Sequence, residues 1–322
     1  MSKIFLNNQV LIYLLGESVS LLLFSIAAFF SAIIIKKWDF NSYSLFQFKL
    51  ENRAYLISTI VEFLLYIKIA LIIYFIYTID ALSLLVPGAM CGAGVISANS
   101  YGLNLLFVKL LIIFLLMFYI NLNNYDLEAK DYPVIKQKSL LVLAIFALIL
   151  VEFFLDISYF SNIDLNLPVS CCSALFGQLE GANPLPFGLN ITMLLALFYM
   201  LYITFVVANL TSYKWVYLIV SILFLYISYY AVVYFFGTYV YELPTHKCPF
   251  CMMQKEYYYI GYLIWGTLFL GSFLAIIYSL IALWLKSELK MAKKLSLFLI
   301  TLFVIINSSY VIVYYLRNGV FL

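Results

Sequence analysis

The chain has 322 residues, of which 66% are hydrophobic and only 10% are charged, and its mean hydropathy is +1.07. This composition lies far outside the range of soluble globular proteins and predicts an integral membrane protein that contacts a lipid bilayer. The formal net charge is +3 and no dense basic run occurs, so nucleic acid is excluded as a partner.

Eight apolar runs are each long enough to cross a hydrocarbon core of about 30 Å as a helix. They are continuous rather than ten-residue alternating segments, which predicts an all-α helical bundle and not a transmembrane barrel. In chain order the runs lie near residues 10–35, 55–79, 103–122, 139–161, 190–210, 216–236, 257–285 and 295–316.

Lysine and arginine residues predict the orientation of the bundle, because short loops rich in them stay in the cytoplasm. The connections after the first, third, fifth and seventh runs carry Lys36, Lys37, Lys49, Arg53, Lys130, Lys136, Lys138, Lys214, Lys286, Lys290, Lys293 and Lys294. The other side carries only Lys3, Lys247, Lys255 and Arg317. Both termini are therefore expected outside, and the expected location is a bacterial inner membrane with the cysteine loops on the periplasmic side.

The connections are short and no long soluble segment interrupts them, so residues 1–322 are expected to form one membrane domain. A proline four residues before a cysteine recurs in three of the outside loops. This weak repeat predicts three helical hairpins, 55–122, 139–210 and 216–285, whose loops would meet at one face. Because prolines are common at helix starts, coincidence is the alternative explanation.

All five cysteines lie in these three loops, namely Cys91, Cys171, Cys172, Cys248 and Cys251. The clustering predicts a shared thiol site in an oxidising compartment, where thiols either pair or bind a ligand. Two of the cysteines, Cys248 and Cys251, precede the seventh run, and at a helix N-terminus they would form a reversible disulfide with a stabilised thiolate. A bond between adjacent Cys171 and Cys172 would be strained.

The segment Cys248-Pro-Phe-Cys251-Met-Met-Gln254-Lys255 resembles the signature of the bacterial DsbB thiol:quinone oxidoreductases. That family has a CxxC motif followed four positions later by a basic residue. The resemblance implies that Cys248 and Cys251 pass electrons to a membrane quinone, with Lys255 near the quinone ring. The remaining cysteines would relay to a periplasmic thiol protein. The chain departs from the family in having eight predicted helices instead of four and no cysteine pair after the CxxC helix.

A metal-binding or metal-transport membrane protein is the alternative interpretation of the same loops. Soft thiolate ligands suit Cu(I), and thiolates with an imidazole suit Zn. The only histidine, His246, would bind the metal or accept a thiol proton, or it would be a solvated loop residue. A third interpretation is a structural subunit of a respiratory membrane complex whose cysteines only cross-link loops. The candidate metal ligands are Cys91, Cys172, His246, Cys248 and Cys251.

Several charged residues lie inside the apolar runs. Glu152 and Asp156 are four residues apart on one helix face, and Lys109 is the predicted partner for both. The functional interpretation is a proton path or a contact with a quinone headgroup. The alternative is an ion pair that holds two helices together. Glu17 and Lys68 also lie within runs, and the sequence names no partner for Lys68.

Overall fold

The structure is a computed structural model that describes residues 3–42, 44–129, 132–169, 185, 188–211, 213–286 and 289–322. Every regular element within these ranges is helical, which confirms the predicted all-α class. The α-helices are α1 (Asn8–Lys37), α2 (Leu45–Leu82), α3 (Gly92–Ile96), α4 (Tyr101–Glu128), α5 (Ile135–Ser161), α6 (Ile191–Thr211), α7 (Lys214–Ala231), α8 (Gly237–Tyr241), α9 (Ile260–Leu285) and α10 (Lys290–Asn318).

Eight helical spans in the described ranges are long and apolar enough to cross a membrane, which confirms the predicted number and makes the chain an integral membrane protein. The sixth span joins α7 to α8 through a π-helical turn, Val232–Phe236. The helices expose large apolar side chains on their outward faces, such as Leu22, Phe63 and Phe107, as contact with lipid requires. The orientation of the termini stays a prediction.

Two of the helix starts that differ from those predicted have a clear local cause. Helix α2 begins at Leu45 rather than 55, because the Ser44 side chain caps it by accepting a hydrogen bond from the Gln47 amide at 3.3 Å. Helix α9 begins at Ile260 rather than 257, because Tyr258 and Tyr259 have φ of 53° and 58° and cannot continue a helix. The CxxC motif therefore lies outside the first turn of α9. The expected stabilisation of its thiolates by that helix dipole was wrong.

The chain divides into two compact units. Unit 1 comprises Met1–Pro87 and Val95–Val169. In it, α1 packs against α2 and α5, and α4 packs against the same two helices, so the four form a closed bundle. Aliphatic and aromatic side chains from all four fill the centre, including Phe24, Leu64, Ile112 and Ile145, each fully buried.

Unit 2 comprises Gly88–Gly94 and Ser170–Leu322. Helix α7 packs between α6 and α9, and α10 packs against α9. Its core is built from aromatic rings that are all fully buried. They belong to Phe198, Phe205, Phe224, Phe236 and Phe303. The Phe198 ring centroid lies 5.1 Å from that of Phe236 and 5.5 Å from that of Phe224. Such aromatic pairs hold α6 against α7 and against the π-helical turn. The three-hairpin repeat stays a prediction.

Candidate functional site

Three cysteines from two distant segments of unit 2 come together, and we call them the sulfur cluster. The Cys91 and Cys248 sulfurs are 3.6 Å apart. These two sulfurs and that of Cys251 all lie within 4.8 Å of one another. The 3.6 Å separation is a non-bonded contact, since a disulfide bond is about 2.05 Å long. Three of the five cysteines predicted to share a site are thus gathered. The other two, Cys171 and Cys172, lie outside the described residues.

The three sulfurs differ in their access to solvent. Cys91 is fully buried and Cys251 is 5% exposed, whereas Cys248 is partly exposed. The Cys248 sulfur is also in direct contact with the Cys91 sulfur. The accessible sulfur is therefore the one placed to meet both an outside thiol and a buried one.

One tyrosine hydroxyl holds both sides of the CxxC turn. Tyr241, the last residue of α8, donates a hydrogen bond to the Cys248 carbonyl. The same hydroxyl accepts a hydrogen bond from the Met252 amide at 3.0 Å. Since Met252 directly follows Cys251, the hydroxyl fixes the backbone on either side of the cysteine pair. This constrains the distance between the two sulfurs.

The cysteine loop folds back onto the start of α9. The Trp265 indole donates a hydrogen bond to the Pro249 carbonyl at 3.1 Å. One helical turn earlier, Gly261 lets the loop pack closely against α9. A Cβ at this position would lie 2.6 Å from Met252 Cγ and 2.9 Å from the Met252 backbone carbon. A residue larger than glycine would push Met252 away from α9. The sequence around Cys251 is thus positioned by α8 and α9 together.

His246 is buried, so the interpretation as a solvated loop histidine was wrong. Its residue surface is 8% exposed, and its ring centroid lies 4.2 Å from that of Tyr241. Its Nε2 has no hydrogen-bond partner among the described residues. The compact group of ligand atoms comprises the three sulfurs and does not include a His246 nitrogen. His246 is therefore a neighbour of the site through Tyr241.

Lys255 and Tyr257 follow the CxxC turn in the chain, and both have some access to solvent. Lys255 is exposed. The Tyr257 ring packs against Tyr241 with centroids 4.9 Å apart. Partial burial raises the pKa of the Tyr257 hydroxyl, and so does the proximity of Cys251, Glu256 and Cys248, whose negative forms disfavour a phenolate. The Tyr257 phenol therefore stays neutral and can donate a hydrogen bond.

A second group of polar side chains lies in unit 1, and we call it the ionic cluster. It consists of Glu17 of α1, Lys68 of α2, Lys109 of α4, and Glu152 and Asp156 of α5. The predicted partnership is confirmed, since Lys109 Nζ lies 2.9 Å from Glu152 Oε1 and 3.0 Å from Asp156 Oδ2. Each of the four long helices of unit 1 contributes at least one charge, so the cluster ties the bundle together.

The structure supplies the partners of Lys68 that the sequence did not name. Lys68 Nζ lies 2.5 Å from Glu17 Oε2 and 2.5 Å from Glu152 Oε2. Sequence reasoning also missed Tyr13, whose hydroxyl contacts Glu17, Asp156 and Lys109. Tyr13 stands four residues before Glu17, hence on the same helix face, and that spacing was the available signal.

No protein-family model, curated protein or solved structure matches this chain. Its function must therefore be argued from the chemistry of the two clusters.

Proposed function

We propose that this protein is a membrane thiol:disulfide oxidoreductase whose exchanging groups are Cys91, Cys248 and Cys251. The observation that carries the proposal is the 3.6 Å contact between the Cys91 and Cys248 sulfurs, with Cys251 in the same cluster. A cysteine brought from another segment to a CxxC pair provides the third sulfur that disulfide exchange requires. The partial exposure of Cys248 supports access by an outside thiol.

The exchange step conserves electrons. The Cys91 thiolate attacks the Cys248 sulfur of a Cys248–Cys251 disulfide. The Cys91–Cys248 bond forms as the Cys248–Cys251 bond breaks, and Cys251 leaves as a thiolate. In the reverse step Cys251 attacks Cys248 and releases Cys91. Cys248 is thus the sulfur common to both disulfides, which agrees with its contact with Cys91.

A new disulfide needs an electron acceptor, and we propose a membrane quinone. The Cys248 and Cys251 thiols would lose two electrons and two protons, and the quinone would become a quinol. The proposal of a quinone is supported by the likeness of the segment from Cys248 to Lys255 to the DsbB signature. The exposed Lys255 would stabilise the thiolate or the developing quinone anion. A periplasmic thiol protein would be the electron donor.

Serine substitution of one cysteine tests the exchange. In Cys251→Ser membranes exposed to a mild oxidant, we expect a Cys91–Cys248 disulfide to accumulate, because Cys251, the thiol that would attack Cys248 and resolve this bond, is gone. In the matched variant Cys91→Ser, the Cys248–Cys251 disulfide should form instead. Both bonds are identified by mass spectrometry of acid-quenched, alkylated peptides. A Cys251→Ser protein in which Cys91 and Cys248 stay fully alkylated as thiols would overturn the proposal.

A soft metal site is the second candidate, favoured by the three sulfurs within 4.8 Å of one another. Thiolates select Cu(I), and they also bind zinc, but structural zinc sites take four ligands. Among the described residues the compact ligand set is three sulfurs without His246, which favours Cu(I) over Zn. If this candidate holds, the three thiols resist alkylation until a chelator is added. The exchange proposal predicts that alkylation does not depend on chelator.

A further inference from the structure

The ionic cluster of unit 1 has more acidic than basic groups. Three carboxyl side chains share two ammonium groups, so one negative charge is left over if all five are ionised. The side chains involved are at most 3% exposed. A net charge enclosed between helices at membrane depth is costly, because neither water nor lipid compensates it. The cluster therefore calls for one additional positive charge.

The hydrogen bonds of Tyr13 also require one additional proton, because the hydroxyl has fewer hydrogens than its contacts need. The Tyr13 oxygen lies 2.9 Å from Glu17 Oε1 and 3.0 Å from Asp156 Oδ1. It also accepts a hydrogen bond from Lys109. A tyrosine hydroxyl carries one hydrogen and can donate to only one of the two carboxyl oxygens. The other short oxygen–oxygen contact requires a hydrogen on the carboxyl group.

The ion pairs indicate which carboxyl group holds that hydrogen. Glu17 and Glu152 each contact both lysines. Of the two lysines, Asp156 contacts only Lys109. The other hydroxyl beside it, that of Tyr159, donates to the Val95 carbonyl at 2.9 Å and is not available. Asp156 is therefore the least compensated of the three acids.

We infer that the ionic cluster is a proton-binding site, in which a proton on Asp156 Oδ1 donates to Tyr13 and the Tyr13 hydrogen donates to Glu17. The site is closed by aromatic rings, since the Tyr13 ring centroid lies 5.4 Å from that of Phe75 and 5.9 Å from that of Phe160. Transfer along this chain is balanced: Asp156 gives its proton to the Tyr13 oxygen as Tyr13 gives its own to Glu17. The ligand of the site is thus one proton that rests on Asp156 and can be transferred through Tyr13 to Glu17.

Infrared spectroscopy of the full-length protein in lipid nanodiscs tests the inference. A protonated carboxyl group has a carbonyl stretching band that carboxylates lack. We expect this band at neutral pH, a shift to lower frequency when aspartate carries ¹³C in its side-chain carboxyl, and its loss in Asp156→Asn. The control Asp164→Asn changes an exposed aspartate and should leave the band in place. Because the isotope shift needs no variant, a band that is absent or insensitive to labelled aspartate overturns the inference even where Asp156→Asn fails to fold.

A second variant tests whether Asp156 is protonated because of the net charge of the cluster or only because it is buried. Glu152→Gln removes one negative charge, so the cluster becomes neutral with Asp156 ionised, and the band should disappear although Asp156 is present. Persistence of the band in this variant would overturn the charge argument. Exchange of sodium and potassium for choline should leave the wild-type band unchanged. A band that appears only in choline would show that a monovalent cation occupies the site and would also overturn the inference.

Discussion

The ionic cluster of unit 1 consists of paired charges enclosed by four helices, whereas the sulfur cluster of unit 2 consists of thiols in the connection between α8 and α9 and in Gly88–Gly94. Buried ion pairs join the side chains of unit 1. The core of unit 2 is instead built from aromatic rings, and one sulfur of its cluster, that of Cys248, is partly exposed. Buried charges must be compensated within the fold, while a thiol is neutral until it reacts.

This difference predicts that substitutions in the ionic cluster affect stability most, and that substitutions around the sulfur cluster affect reactivity more than stability. The largest effect is expected for Lys109→Met. It removes the ammonium group that contacts three carboxyl groups. Asp156 then has no lysine partner, and Glu17 and Glu152 share Lys68 alone. Breaking a buried ion pair by removing one partner costs about 3–5 kcal/mol.

Thermal unfolding in mild detergent measures the Lys109→Met effect. The matched control is Lys49→Met, which removes an exposed lysine of the same unit and should leave the unfolding temperature nearly unchanged. Equal unfolding temperatures for Lys109→Met and the wild type would contradict the comparison between the units.

The next effect in size is expected for Gly261→Ala. The added methyl group would clash with Met252, at a cost of about 1–3 kcal/mol, and would shift the CxxC turn. Gly266→Ala makes the same change in the same helix where a Cβ meets no atom within 4 Å. We expect faster alkylation of Cys251 in Gly261→Ala and wild-type behaviour in Gly266→Ala. Identical alkylation rates in the two variants would contradict the assigned role of Gly261.

A smaller loss is expected for Tyr241→Phe. It removes the hydroxyl that serves both the Cys248 carbonyl and the Met252 amide, at a cost of about 1–3 kcal/mol for the buried groups left without a partner. Formation of the Cys91–Cys248 disulfide in a Cys251→Ser background should slow, because the turn is no longer fixed. Tyr258→Phe, which changes a tyrosine that is 92% exposed, serves as the control. An unchanged rate in Tyr241→Phe would exclude a positioning role for this hydroxyl.

The smallest effect on stability is expected for Lys255→Ala, since this side chain is exposed. Quinone-linked reoxidation of Cys248 and Cys251 should nevertheless slow, because the proposal assigns this positive charge to stabilising the thiolate or the developing quinone anion. Lys294→Ala, which removes another exposed lysine of unit 2, should reoxidise at the wild-type rate. Equal rates in all three proteins would count against the quinone part of the proposal.

Hydrophobic runs were sufficient to predict the eight spans, because a helix in lipid must be long and apolar. They did not locate the start of α9, since nothing in a run of three tyrosines indicates that Tyr258 and Tyr259 adopt positive φ. The displaced start changes the chemistry, because it moves the CxxC motif from a helix N-terminus to a turn held by Tyr241. Local sequence therefore identified the CxxC motif but did not predict the turn that holds it.

For the two clusters, the sequence predicted which residues take part better than it predicted which residues contact each other. Intramembrane charges identified Lys109, Glu152 and Asp156 in advance, because such groups must find partners inside the bundle. Lys68 and Tyr13 were not assigned, since their contacts depend on how four helices pack. Similarly, the recurrence of cysteines in loops predicted a shared site, while the 3.6 Å contact of Cys91 with Cys248 follows from the folded loop.

The most direct test of the central claim is acid-quenched thiol trapping on intact membranes, read for each cysteine by mass spectrometry with and without added quinone and chelator. We predict that reductant converts Cys248 and Cys251 to alkylated thiols and that their disulfide returns only when quinone is supplied. Thiols that resist alkylation until chelator is added, with no disulfide after quinone, would contradict the claim and identify the sulfur cluster as a metal site.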